Sequence, residues 1–282
     1  MPKQGIARHP SEIFGFPIDD NSSQARDVRQ RFFCPFMNRK CDKKSRLISY
    51  PFGVCSVKWN QGVIALCPRR FLQREIVFKD VADNYFRDRH NLVVFSEVGL
   101  SGVGSFDYVM VRHRPLSSEI DDFVIIEFQT GQTTSTGALV SALKDFVDNH
   151  DIAGRSYSFG LNQYDIWKRT FTQILNKGIV LEHWGQKVYW VVQEPIYQYF
   201  LNRYGLAGLK FDTGHCTRFA VYDMSRSGGQ YVLSKTRVES STVDNMFRAF
   251  RKGAPVPKKN KFVELLGRKI KAQMQLRLDL SK

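Results

Sequence analysis

Four of the five cysteines, Cys34, Cys41, Cys55 and Cys67, crowd between Phe33 and Arg69 with the spacing C-x6-C-x13-C-x11-C, and only Cys216 lies elsewhere. The segment that holds them, 31–74, contains Pro35, Pro51 and Pro68 and few long periodic apolar runs. A stretch this rich in turns cannot bury enough core alone and needs a staple. The first residues, Met1 to Pro10, carry Lys3, Arg8 and His9 and no apolar run, so they do not read as a secretory signal. No stretch approaches the roughly 18 apolar residues that span a bilayer. The expectation is a soluble cytoplasmic protein, and a reducing compartment argues against two disulfides. Four thiolates can instead surround one ion tetrahedrally, and the binding energy then folds the segment. The alternative is four unrelated buried cysteines, because free Cys is a common small core residue. The tight clustering favours the metal. The spacing departs from the paired C-x2-C of zinc ribbons, and it suits zinc and iron equally.

Charge points to the partner. The chain has 282 residues and a net charge of +15. Residues 31–74 carry ten Lys/Arg against Asp42 alone, and residues 248–282 carry eleven Lys/Arg against Glu264 and Asp279. The remainder is close to neutral, so the basic charge is segregated. Segregated basic charge suits a polyanion through phosphate neutralisation and counterion release, although a solvated basic surface reads the same way. A membrane surface is disfavoured, since no basic amphipathic helix with Trp or Phe anchors stands out. Hydrophobic residues make up 43 %, enough for a sizeable packed core.

Periodicity divides the chain into an N-terminal arm (1–30), the four-cysteine module (31–74) and a core with a basic C-terminal segment (75–282). Leu72, Ile76, Val77, Val81 and Tyr85 recur at helical intervals. Asn91 to Val98, Phe106 to Val111 and Phe123 to Phe128 are β-like, and Gly99, Gly102 and Gly104 mark a turn between the first two. Helices are expected at Thr136 to Asn149, at Asp165 to Asn176 with a stop at Lys177-Gly178, and at Pro195 to Tyr204 before Gly205. Lys187 to Gln193 reads as a central strand and Phe219 to Tyr222 as a short one. A linker at 253–260 precedes a final helix whose stripe of Phe262, Leu266, Ile270 and Met274 should dock on the core. Alternating strands and helices imply an α/β fold with a mixed sheet flanked by helices.

A second constellation joins Asp107 to Glu127-Phe128-Gln129. On a strand, i and i+2 share a face, so Glu127 and Gln129 point together. A carboxylate that ends an apolar strand is costly to desolvate, and a divalent cation relieves that cost. Asp107, 20 residues upstream on the strand after the glycine turn, can share one magnesium ion with Glu127. The arrangement resembles the PD-(D/E)-x-K nuclease superfamily, with Gln129 where Lys is usual.

The joint pattern narrows the resemblance. Phe33-Cys34-Pro35-Phe36 with Cys41, then Val54-Cys55-Ser56-Val57, then Cys67-Pro68-Arg69-Arg70-Phe71, is similar to the four-cysteine module of the NotI family of restriction endonucleases. Gly104-Ser105-Phe106-Asp107-Tyr108-Val109 and Ile126-Glu127-Phe128-Gln129-Thr130-Gly131 resemble that family's active-site strands, which also carry Gln in place of Lys. The match runs over roughly residues 30–200. The resemblance implies a PD-(D/E)-x-K core and a homodimeric type II enzyme cutting palindromic, GC-rich double-stranded DNA. It implies Mg2+ at Asp107 and Glu127, iron in the cysteine site and a further acid upstream of Asp107, for which Glu97 is the candidate. Gln129 has no proton affinity near neutral pH, so its expected role is to orient the attacking water.

Base reading needs Arg, Lys, Asn or Gln near the cut. Arg112, Arg114, Gln132, Arg155, Asn162 and Gln163 fall in expected loops or strand ends after the catalytic elements. Tyr157 and Phe159 sit in a Gly- and Ser-rich stretch, either to reach a groove or to anchor the loop. Two rival functions share the features above: a non-catalytic four-cysteine nucleic-acid-binding protein, and a structure-selective repair nuclease.

Overall fold

The computed structural model describes residues 8–60, 62–206, 208–253 and 258–271. Strand β1 (Pro10–Ile13) turns back into β2 (Phe16–Pro17) and leads to helix α1 (Ser23–Gln30), whose first turn is capped by the Ser22 hydroxyl accepting from Ala25 N–H. Strands β3 (Val54–Trp59) and β4 (Gly62–Ala65) complete a small antiparallel sheet in the order β2-β1-β3-β4. The segment expected as an arm is therefore folded: β1 pairs with β3, and Ile13, Phe14 and Phe16 are buried. Its apolar side chains are too few to show a period but enough to close the cysteine segment from below.

A 3-10 turn, Pro68–Glu75, and helix α2 (Ile76–Tyr85) follow. Three long strands then form a meander: β5 (Leu92–Leu100), β6 (Gly104–His113) and β7 (Ile120–Gln129). Gly102, at φ +78°, supplies the left-handed backbone that the β5–β6 turn requires. Helices α3 (Thr136–Val147) and α4 (Gln163–Gln173) come next. The expected stop at Lys177-Gly178 is absent. The chain passes through a π turn, Ile174–Gly178, into α5 (Ile179–His183). Gly178 there is a packing residue, because an added Cβ would stand 2.8 Å from Val243 Cγ2.

Strand β8 (Lys187–Gln193) is central and buried, and α6 (Glu194–Tyr204) ends at Gly205 with φ +64°. The expected four-residue strand near Phe219 is part of a long hairpin, β9 (Thr217–Ser227) and β10 (Gln230–Ser241). Helix α7 (Val243–Gly253) packs back onto the core, and α8 (Lys259–Lys271) ends the described chain.

The main sheet has six strands in the order β10-β9-β8-β7-β6-β5. β7, β8 and β9 are mutually parallel and the outer pairs antiparallel, so the fold is mixed α/β. β8, buried on both faces, reads as the continuous apolar run that a central parallel strand shows. One face packs on α3, α4 and α6 through Trp167, Trp190 and Phe200; the other packs on α2 through Phe71, Val77 and Tyr222.

Two buried polar ties join the small sheet to the large one. Gln193 on β8 accepts from Ala65 N–H at 2.6 Å and donates to the Val63 carbonyl. Arg70 Nε donates to both Glu12 oxygens, and its Nη2 donates to the Tyr231 carbonyl on β10. Both ion-pair partners are buried, so removing either one strands a charge at a cost of about 3–5 kcal/mol. The sheets also meet at Gly131, whose N–H donates to the Ala65 carbonyl and whose missing Cβ would lie 2.6 Å from Ile64. That close approach fixes the chain just past Gln129.

One expectation fails at the C-terminus. Phe262, Leu266 and Ile270 are 60 %, 42 % and 63 % exposed, so their stripe does not dock on the core; Met274 lies outside the described residues. α7 takes that place instead, with Met246 buried and Phe250 stacked on Phe171 at 4.2 Å.

Candidate active site and cysteine centre

β7 alternates strictly. Val124, Ile126 and Phe128 face α2, while Ile125, Glu127 and Gln129 face α3 and α4. Glu127 is fully buried. Its Oε1 lies 2.6 Å from Lys177 Nζ, and its Oε2 has no hydrogen-bond partner. Asp107, on the neighbouring β6, accepts from the Phe128 backbone N–H at 2.8 Å. The structure therefore sets Asp107 beside the strand that carries Glu127. Burial pushes the Glu127 carboxyl up to about 7; the nearby Asp107 charge adds to the rise and Lys177 opposes it. Burial also raises Asp107, against the Phe128 N–H and Lys177. Burial thus opposes ionisation of both carboxyls, and Lys177 only partly offsets it.

Gln129 is held at both ends of its amide. Its Oε1 accepts from the Thr170 hydroxyl at 2.6 Å, and its Nε2 donates to Gln173 Oε1 at 3.2 Å, both partners standing on α4. One of the two Nε2 hydrogens is left for the cleft. That cleft, about 1060 Å³, is lined by Glu97, Asp107, Gln129 and Gln173, and basic Arg39, Lys43, Lys44, Arg69 and Arg169 stand around it. Glu97 is exposed, in left-handed backbone at φ +55°, where the pairing of β5 with β6 is interrupted opposite Asp107.

The four cysteines come from four places: the 33–34 strand, the residue after the 39–40 strand, β3, and the start of the 3-10 turn. All four line one small cavity beside Phe14 and Phe52. Burial raises the Cys34, Cys41 and Cys55 thiols, and the neighbouring thiols raise them further. As placed, no group of three or more His, Cys, Asp or Glu among the described residues could hold a metal ion. The donor set still suits one chemically, since four sulfurs line one space and thiolates are metal ligands. Glu127 Oε2, buried and unpartnered beside the strand of Asp107, is the equivalent sign at the carboxylates. The two centres share a wall, since Lys43, Phe52 and Arg69 line both.

The family model of restriction endonuclease NotI matches residues 13–205, a span that holds the whole cysteine segment, all three meander strands and the π turn. The chain belongs to the NotI restriction endonuclease family. It is thus a restriction endonuclease, a site-specific deoxyribonuclease that binds DNA and hydrolyses its phosphodiester bonds. A search of curated proteins found no match. No helix among the described residues is long and apolar enough to cross a membrane.

In this NotI-family enzyme the residues proposed for base reading scatter. Gln132 and Asn162 line the cleft, and Asn162 also caps α4 by accepting from Asp165 N–H. Arg112 and Arg114 sit at the opposite end of β6, paired with Asp88 and with Glu119 and Asp121. Strand register explains this: five to seven residues beyond Asp107 carry the chain roughly 17–24 Å away. Arg155 pairs with Asp145, and Gln163 donates to the Pro195 carbonyl; neither lines the cleft. Phe159 is buried and Tyr157 donates to Asp145, so both anchor their loop. Sequence reasoning missed Lys177, Thr170, Gln173 and Arg169. The first three act on Glu127 or Gln129 from another element, and no local pattern marks them. Arg169 is legible only as a charge two positions before the buried Phe171 on an amphipathic helix.

Proposed function

We propose that the enzyme is a type II endonuclease with a PD-(D/E)-x-K-like core, cutting double-stranded DNA at a palindromic, GC-rich site with Mg2+. The observation that carries this reading is the placing of Asp107 and Gln129 on the wall of one basic-rimmed cleft, with Glu127 buried two residues before Gln129 on the same strand. Asp107 and Glu127 would hold the cation, with Glu97 on the same wall as a further acid. A bound Mg2+ supplies Lewis-acid polarisation of the phosphate and a water of lowered pKa. Gln129, immobilised by Thr170 and Gln173, offers its remaining N–H to a lone pair of the attacking water and so fixes its approach. Arg39, Lys43, Lys44 and Arg169 suit phosphate oxygens, which position DNA without reading it. Gln132 and Asn162 are the cleft residues suited to base edges.

Cys34, Cys41, Cys55 and Cys67 would hold one structural ion; a four-sulfur set accommodates iron or zinc. Its role is to fix the wall formed by Lys43, Phe52 and Arg69. Two copies of the chain are proposed to act together, one per strand, because a two-fold site matches a two-fold protein. Sequencing the ends of fragments cut from plasmid DNA tests the reading. One recurrent palindromic motif at every end supports it, and ends without a shared motif reject site recognition in favour of a structure-selective nuclease.

A further inference from the structure

The run of helix from Gln163 to His183 is interrupted by the π turn Ile174–Gly178. Adding one residue to a turn rotates everything beyond it by about 100°. Single π turns recur at functional positions because they re-aim a side chain that a regular helix would send elsewhere. Here the side chain that turns inward is Lys177, 5 % exposed. Its Nζ lies 2.6 Å from Glu127 Oε1 and 2.7 Å from the Ser105 carbonyl oxygen, and it stands over the Phe106 ring. Burying such a pair brings little net stability, since desolvation offsets the attraction. A packed apolar side chain would serve the core at least as well.

The two partners explain the placement. Ser105 belongs to β6, two residues before Asp107, and Glu127 belongs to β7. One ammonium thus bridges the two strands that carry the acidic groups. It also takes only one Glu127 oxygen and leaves Oε2 without a partner. Strand position 129, two residues after Glu127, offers an amide and no charge.

We propose that Lys177, delivered by the π turn, is a positioning residue of the nuclease centre, clamping Glu127 Oε1 to the Ser105 carbonyl and so fixing Glu127 against Asp107. The proposal rests on the reading of this cleft as a metal-dependent nuclease site. Lys177 is too buried to touch DNA, so its loss falls on the cutting step and spares docking.

The test compares full-length wild type with Lys177→Met and Lys177→Arg on a plasmid that wild type cuts. Single-turnover cleavage is measured in Mg2+, DNA affinity by gel shift in Ca2+, and folding by thermal melting. Lys177→Met is expected to slow cutting by about 10–100-fold, the loss typical of a group that orients a metal ligand. Its DNA affinity stays within about threefold of wild type, and Lys177→Arg recovers most of the rate. A Lys177→Met rate equal to wild type overturns the proposal. So do equal losses in the Met and Arg variants, or a rate that falls only in step with DNA affinity and melting. If Lys177→Met does not fold, Lys177→Arg decides: folded protein with most of the rate supports the clamp, and folded protein without it overturns the clamp. Wild type that fails to cut at all overturns the nuclease reading itself, a separate outcome.

Discussion

The proposed chemistry turns on the carboxyl of Glu127. It is fully buried at the end of an apolar strand, with one oxygen on Lys177 and one unpartnered. Glu127→Ala is expected to reduce cleavage by more than about a hundredfold while gel shifts in Ca2+ stay near wild type, because the side chain serves chemistry and does not face DNA. Cleavage at the wild-type rate by this variant would remove Glu127 from the site. The raised pKa gives a second expectation. With its carboxyl at about 7, Glu127 is mostly protonated at pH 6 and mostly ionised at pH 8, and only the ionised form can hold a cation. At subsaturating Mg2+ the rate should rise about tenfold from pH 6 to pH 8; a flat profile would contradict the assignment. The shared face of Glu127 and Gln129 was legible because strand alternation is local. Lys177, Thr170 and Gln173 were not, since each meets its partner only after α4 and the π turn pack on the sheet.

At the scale of elements, the cysteine segment and the C-terminal helix make opposite demands. If the cysteine segment folds around the proposed ion, Cys55→Ser is expected to lose the bound metal and to loosen residues 31–74. Elemental analysis and hydrogen exchange over that segment check this; metal-free reduced wild type would contradict it. Because Lys43, Phe52 and Arg69 also line the cleft, the same variant should cut poorly. α8 carries exposed Lys259 and Lys261, with exposed Lys258 just before it. Neutralising all three should weaken cognate and non-cognate DNA equally and lower the salt slope by about one for each phosphate no longer neutralised. An unchanged slope would place α8 away from DNA. The meander and β8 were legible from apolar runs, whereas β10 was not, because its sequence is largely polar and part exposed. The amphipathic stripe of α8 marks a helix correctly but does not make it dock. Periodicity gives the face of a helix, while the space beside the core decides which helix fills it, and α7 does.

For the whole molecule, the chain places a small antiparallel sheet and the cysteine cavity beside it against a mixed α/β sheet, and the cleft shares a wall with that cavity. The fold class was within reach of the sequence because alternation of strands and helices survives in apolar spacing. The joining of the two sheets was not, since it depends on Gln193, Arg70 and Glu12 meeting across long stretches of chain. A net charge of +15 with basic groups around the cleft makes DNA binding salt-sensitive, but binding alone does not distinguish this enzyme from other basic proteins. Cutting at fixed places does. The most direct test is digestion of supercoiled plasmid DNA by purified wild type, with Mg2+ and with the cation chelated. Discrete fragments of constant size with Mg2+, and intact plasmid without it, are the expected result; a smear with Mg2+, or equal cutting without it, would contradict the account.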